Sequence, residues 1–234
     1  MLDAKTLPEK FQQVKRQIQQ TCQSLKRDPS TVRLMAVSKG QSIEKIRDIF
    51  NQGQRDFGEN YAQELFHKAE ALKGLNIQWH YIGKLQSNKI KKIVNIASSI
   101  HTVATLKHAE IIRTHLKIQG ISNYPLFISV NISNEPQKNG CSLGEAEALV
   151  TQLKGFDELS IQGLMAVPSK LQDPPADQSL TLNQEYQSLK DLTEKLQLQH
   201  LSLGMSQDMK TALATGSTWV RVGTGIFGPR EPKS

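Results

Sequence analysis

The sequence has little cysteine, few aromatic residues and no long apolar run. Two cysteines, Cys22 and Cys141, are too few for a disulfide framework or a cysteine metal cluster, and they read most simply as small buried side chains. The apolar stretches are four or five residues long, too short for a membrane-spanning helix. Residues 1–13 carry Asp3, Lys5, Glu9 and Lys10 and lack an apolar core, so they do not read as a signal peptide, and a cytoplasmic location is expected. Acidic residues are also outnumbered, 22 against 29 lysines and arginines, for a formal charge of +7. Part of that excess lies in Lys84, Lys89, Lys91 and Lys92, within GKLQSNKIKKI. No aromatic interleaving or known binding motif accompanies these lysines. The segment therefore reads as the solvated face of a helix, and nucleic acid is not the expected partner. A basic surface equally suits a small phosphorylated ligand.

What remains is an ordinary globular composition, 38% hydrophobic and 22% charged, over 234 residues, a length normal for one α/β barrel. Thr6-Leu7-Pro8-Glu9 is a capping box with proline in the first turn. It predicts an N-terminal helix over 6–27 on Phe11, Val14, Ile18, Cys22 and Leu25, ended by Asp28-Pro29. Strand-like runs follow at 33–37, 55–58, 77–82, 98–103, 126–132, 159–167, 200–203 and 219–222. Helical faces lie between them, such as Ile43, Ile46, Ile49 and Phe50, or Leu182, Tyr186, Leu189, Leu192 and Leu196. The expected fold is a (β/α)₈ TIM barrel over 32–228 with an extra N-terminal helix, the chain 1–234 forming one domain. An open doubly wound sheet is the alternative, because spacing does not show closure. The polar stretch 173–175 reads as part of one long strand-to-helix loop.

In a barrel of this kind chemistry sits at the carboxyl ends of the strands, with phosphate most often after strands seven and eight. Lys39, in LMAVSKG, reads as ending the first strand. If it points inward, so do Val37 and Met35, giving an apolar wall beneath an amine, and a desolvated amine is a nucleophile toward aldehydes. Gly204-Met205-Ser206 precedes a helical stretch beginning near Gln207, and Gly223-Thr224-Gly225 follows the eighth strand. Both offer hydroxyls, and glycine backbone that a ligand can approach closely. Each tract alone fits a cap or a turn; together, opposite Lys39, they point to a phosphorylated aldehyde. Alternation places Arg221 on the barrel side of its strand, either in an ion pair or aimed at a ring acceptor. Asn60 and His80 fit a helix cap and an interior histidine as well as they fit a site, and Glu59 and Asp208 fit helix starts equally.

Six segments carry a resemblance: AVSK at 36–39, FGENYAQE at 57–64, WHYIGKLQSNK at 79–89, GLMAVPS at 163–169, GMSQD at 204–208 and VRVGTGIFG at 220–228. In that order, nearly end to end, the sequence resembles the pyridoxal phosphate homeostasis proteins, single-domain relatives of the alanine racemase barrel. The resemblance implies pyridoxal 5′-phosphate as cofactor, held as a Schiff base on Lys39. Ser206, Gly223 and Thr224 would hold the phosphate, Arg221 would face the pyridine nitrogen, and Asn60 would lie beside the ring. His80 and Met165 would line the same mouth. Gly40, the run Lys138-Asn139-Gly140-Cys141, and Leu203 depart from the family pattern.

The resemblance implies a cofactor-binding protein of intracellular homeostasis without robust catalysis, with apo forms of pyridoxal phosphate enzymes as recipients. A racemase-like enzyme is the alternative. Racemisation needs an acid/base on each face of the α-carbon. The related racemases take one of these, a tyrosine, from a partner subunit and use a second domain to build the dimer. Here six residues follow Gly228, so a monomer is expected. A lysine aldolase acting on a sugar phosphate would also suit a barrel lysine, but it gives no account of Arg221.

Overall fold

The structure is a computed structural model that describes residues 5–133, 135–168 and 176–229, with 176–181 described by backbone alone. The loop reading at 173–175 and the last residue of the motif at 163–169 lie outside the described residues. Eight parallel strands, β1 (Arg33–Val37), β2 (Asp56–Glu59), β3 (Gln78–Tyr81), β4 (Ser99–Val103), β5 (Tyr124–Val130), β6 (Leu159–Ala166), β7 (His200–Ser202) and β8 (Trp219–Val222), form a closed barrel in chain order. Closure comes from β8 pairing with β1, where Met35 is level with Arg221 and Ala36 with Val222. The expected barrel is the observed one, and the open sheet is excluded.

Helices alternate with the strands: α1 (Leu7–Ser24), α2 (Ile43–Asn51), α3 (Ala62–Ala71), α4 (Ile90–Val94), α5 (Leu106–Gln119), α6 (Leu143–Leu153), α7 (Ala176–Lys195), α8 (Met209–Thr215) and α9 (Thr224–Phe227). The Thr6 capping box is present, and Phe11, Val14, Ile18 and Cys22 are buried at helical spacing along α1. That helix packs against α2, α8 and α9, so it braces the turn after β8. It ends at Ser24 rather than near Arg27, because Lys26 takes a left-handed φ of 53° and stops the helix before Asp28-Pro29 is reached. Strand limits shift similarly. β2 starts one residue later than expected, and β5 starts at Tyr124, whose hydroxyl is anchored 2.5 Å from the Ala97 carbonyl.

Alternation along the strands makes two apolar layers. Ala36, Phe57, Ile100, Leu126, Ile128, Leu164, Val220 and Val222 point outward and pack under the helices. Met35, Phe127, Met165 and Trp219 fill the barrel itself, with Ile82 against them. Fully burying such a side chain contributes about 1.5–3 kcal/mol, so both layers matter to stability. Polar groups share the interior: His80, Ser99, His101, Ser202 and Arg221 are buried there.

Candidate functional site

The carboxyl ends of β1, β2, β7 and β8 bring together most of the residues singled out in the sequence. Lys39 lies two positions beyond the last residue of β1, in a turn rather than at the strand end, and is half-buried. The turn is fastened on both sides of it. The Ser38 amide donates to the Gly58 carbonyl at 3.0 Å, and the Ser38 hydroxyl donates to Glu59 Oε1 at 2.7 Å. The Gly40 amide donates to Glu64 Oε2 at 2.7 Å. Burial pushes the Glu59 carboxyl up, while the Lys68 ammonium and the Ser38 hydroxyl pull it back down.

Asn60 follows β2, and its Oδ1 is buried without a hydrogen-bond partner among the described residues. Its backbone is in tight contact with Gly83, where a Cβ would stand 1.7 Å from the Asn60 carbonyl oxygen. Leaving a buried amide oxygen unpaired is costly, so Asn60 is suited to a ligand donor.

After β7 the chain turns through 206–208, and α8 begins at Met209, two residues later than the sequence suggested. The buried Asp208 shapes this turn: Oδ1 accepts the Met205 amide at 2.8 Å and Oδ2 accepts the Tyr186 hydroxyl in a short bond. Ser206 and Thr224 are both exposed. A Cβ on Gly225 would stand 3.1 Å from Ser206 Oγ, and one on Gly223 would stand 3.3 Å from the Val37 carbonyl. Ser206, the 223–225 turn and the end of β1 therefore share one corner of the mouth, and the two glycines leave their backbone open to close approach.

Arg221 is inside the barrel and 4% exposed. Its partners are neutral: Nη1 donates to the Ser202 carbonyl and hydroxyl, both at 2.6 Å, and Nη2 donates to the Ala166 carbonyl at 2.7 Å. No carboxylate among the described residues forms an ion pair with it, which sets aside one of its two sequence readings. Burial lowers the guanidinium's proton affinity, and nearby Tyr186 and Asp208 partly restore it. Three of the five guanidinium N–H groups are engaged, so donors remain for a ligand acceptor.

His80 sits deeper than the sequence suggested. The His80 ring nitrogens bond Ser99 Oγ at 2.7 Å and Asp56 Oδ1 at 2.8 Å, and Asp56 is the first residue of β2, at the amino end of the barrel. Ile82 is the next inward side chain toward the mouth. His80 therefore belongs to the barrel interior and does not line the mouth. Met165 packs in the interior cluster, level with Ser202 at the end of β7.

Lys68 and the bond between Tyr186 and Asp208 were not identified from sequence. Lys68 is a buried ammonium on α3, where it joins Ala62 and Leu65 on the inward face. A lysine at helical spacing with two apolar residues was the available signal. Tyr186 and Asp208 are 22 positions apart, and no local pattern links them.

The family described as "Alanine racemase, N-terminal domain" matches residues 11–231. A Pseudomonas aeruginosa protein named "Pyridoxal phosphate homeostasis protein" is 37% identical over 228 residues, 97% of this chain and 96% of that one. Among solved structures, PipY of Synechococcus elongatus with PLP bound is 33% identical, with a TM-score of 0.77 over 90% of this chain and 100% of that one. A Clostridium difficile alanine racemase shares the fold at a TM-score of 0.71 with 12% identity, covering 94% of this chain and 57% of the racemase. On its closed barrel, the order of its motifs and these matches, the chain belongs to the pyridoxal phosphate homeostasis protein family, built on the alanine racemase N-terminal fold.

Proposed function

We propose that this protein holds pyridoxal 5′-phosphate at the barrel mouth, attached to Lys39, and serves intracellular homeostasis of that cofactor without robust catalysis of its own. The observation that carries this reading is the shared corner at which Gly225 meets the Ser206 hydroxyl and Gly223 meets the end of β1. It sets two hydroxyls and glycine backbone beside the turn that carries an amine. When bound, the cofactor supplies an aldehyde that an amine captures as a Schiff base. Lys39 provides the amine, Ser206, Gly223 and Thr224 the phosphate contacts, Asn60 an acceptor beside the ring and Arg221 a donor toward the ring nitrogen. Met165 lines the same mouth.

The tyrosines bear on the racemase alternative. Tyr81, Tyr124 and Tyr186 each direct the hydroxyl into a bond within the protein, to Lys84 O, Ala97 O and Asp208, and burial raises all three above the usual tyrosine value. Only Tyr61, 53% exposed beside Asn60, has an exposed ring among the four. Three of the four tyrosines are thus committed to bonds within the protein, which supports the reading without robust catalysis. The reading extends to a cytoplasmic monomer that passes cofactor to apo enzymes. Among the described residues no helix is long and apolar enough to cross a membrane.

Borohydride reduction of the cofactor-loaded protein, followed by peptide mapping, is expected to place the pyridoxyl group on Lys39. An adduct confined to another lysine would overturn the assignment. Loaded protein incubated with L-alanine is expected to racemise it no faster than free cofactor does, and sustained turnover would favour the racemase reading.

The phosphate contacts are tested separately. A hydrogen bond to a charged group is worth about 1.5–3 kcal/mol, or roughly tenfold to a hundredfold in affinity. Ser206→Ala and Thr224→Ala are each expected to weaken pyridoxal phosphate by that range and pyridoxal, which lacks the phosphate, far less. Equal losses for the two ligands, measured by titration, would contradict the phosphate corner.

A further inference from the structure

The geometry points to Lys68 as a positioning residue that holds the Lys39 turn in place for capture of an aldehyde, an inference that rests on the assignment of Lys39 above. The Lys68 ammonium, on a residue 4% exposed, donates three bonds of 2.7 Å each, to the Ser38 carbonyl, Glu59 Oε1 and Glu64 Oε2. The two carboxylates reach the same turn from either side. Glu59 Oε1 accepts the Ser38 hydroxyl and Glu64 Oε2 accepts the Gly40 amide, again at 2.7 Å. The residues flanking Lys39 are thus tied to one ammonium, directly or through a single carboxylate.

Stability alone does not account for a charged cluster at this place. Glu59 is 0% exposed, and a buried ion pair is often no more stabilising than apolar side chains of the same volume. Ala62 and Leu65 on the same face of α3 show that apolar residues fit there. What the charged cluster supplies, and an apolar one would not, is a set of directional bonds to the backbone at 38 and 40. Gly40 has a φ of 66°, and glycine keeps more backbone freedom than any other residue, so these bonds restrain a turn that its own sequence leaves free.

Position matters for the chemistry proposed. The Lys39 nitrogen attacks the aldehyde carbon, a C=N bond replaces C=O, and the carbonyl oxygen leaves as water with both amine protons. No oxidant or reductant is involved. Such a step is fast only when the nitrogen is held within about 3–3.5 Å of the carbon at the right angle. A turn freed to swing would lower the rate while leaving the phosphate and ring contacts intact.

Two variants of the full chain, stripped of cofactor, test this: Lys68→Met and Glu64→Ala. The Glu64 side chain is 26% exposed on the first turn of α3, so its removal does not open the core. One measurement is the rate at which a borohydride-trappable adduct appears on Lys39 after mixing with pyridoxal phosphate. The other is the dissociation constant for pyridoxine 5′-phosphate, whose alcohol cannot form an imine. Lys68→Met is expected to slow adduct formation by about tenfold or more and Glu64→Ala by about threefold or more, with analogue affinity changed by less than about twofold. Unchanged rates overturn the inference, and so does an equal loss of rate and analogue affinity, which would make the cluster a general support of the mouth. If Lys68→Met does not fold, Glu64→Ala decides alone. Failure of the Lys39 assignment is distinguishable, because the wild-type adduct would then map to a different lysine before any variant is made.

Discussion

Gly83→Ala is expected to destabilise the protein by about 3 kcal/mol and to abolish tight cofactor binding, although the added group is a single methyl. The new Cβ would stand 1.7 Å from the Asn60 carbonyl oxygen, 2.5 Å from its carbonyl carbon and 2.9 Å from its Cα. All three are backbone atoms, so no side chain can rotate out of the way. The Gly83 carbonyl is itself held by the Thr102 hydroxyl at 2.7 Å, which limits movement on the other side. The strain must therefore move Asn60, and with it the end of β2 beside the Lys39 turn. For a chain of this size a 3 kcal/mol loss corresponds to a melting temperature lower by about 6–12 °C. Thermal unfolding and titration with pyridoxal phosphate check the two effects. A melting temperature within about 2 °C of wild type would show that the close approach is not binding on the fold.

The same substitution at Gly144 gives the contrast. Gly144 lies in α6, does not have a left-handed φ, and a Cβ there meets nothing within 4 Å. Alanine favours helix over glycine by up to about 1 kcal/mol, so Gly144→Ala should hold or raise stability. The sign differs because one glycine is needed for close backbone contact and the other is not.

Periodicity carried most of the fold in the sequence. Eight runs of period two separated by helical faces match the eight strands observed, and the inward turn of Arg221 between two outward valines follows from alternation alone. The meeting of Ser206 with the 223–225 segment beside the end of β1 was legible as well, since glycines and hydroxyls after the last two strands have a known place in a barrel. His80 shows what alternation leaves out. It gives the face of a strand but not the height along the barrel axis, which depends on how neighbouring strands are staggered. The bonds from His80 to Asp56 and Ser99, each at the start of an adjacent strand, place the ring toward the amino end. Lys68 was illegible for another reason. Its significance lies in a bond to a carbonyl 30 positions away, and no short-range rule reports that distance.

The stability of the fold is expected to fall steeply as pH drops below about 6.5, because the barrel interior holds histidines that resist protonation. His101 is fully buried, accepts or donates at Ser99 Oγ over 2.9 Å, and stacks on Phe127 with ring centroids 3.9 Å apart. Burial holds its pKa well below the usual histidine value, and the positive charges of His80, Arg221, Arg33 and His200 around it act in the same direction. His80 is lowered too, chiefly by burial, with Asp56 opposing and Arg33 assisting. Above about pH 6.5 both rings are neutral whether the chain is folded or not, and the stability they permit is fully present. Below that pH the unfolded chain takes up protons that the folded one refuses. Each such proton removes about 1.4 kcal/mol per pH unit, or about 2.7 for the pair, until the native values are reached. His200, half-buried and also lowered by burial, adds a smaller share. Asp56 enters only at lower pH. Burial pushes its carboxyl up, but His80 and Arg33 outweigh that and hold it below the usual range, so its contribution is lost in stronger acid. Urea unfolding between pH 8 and 5.5 should show little change at first and then a continuous loss. His101→Phe keeps the stack on Phe127 without the titrating ring, so its curve should be flatter by up to about 1.4 kcal/mol per pH unit. A wild-type stability that stays level down to pH 5.5, or a His101→Phe curve as steep as wild type, would show that the interior histidines do not set the acid limit.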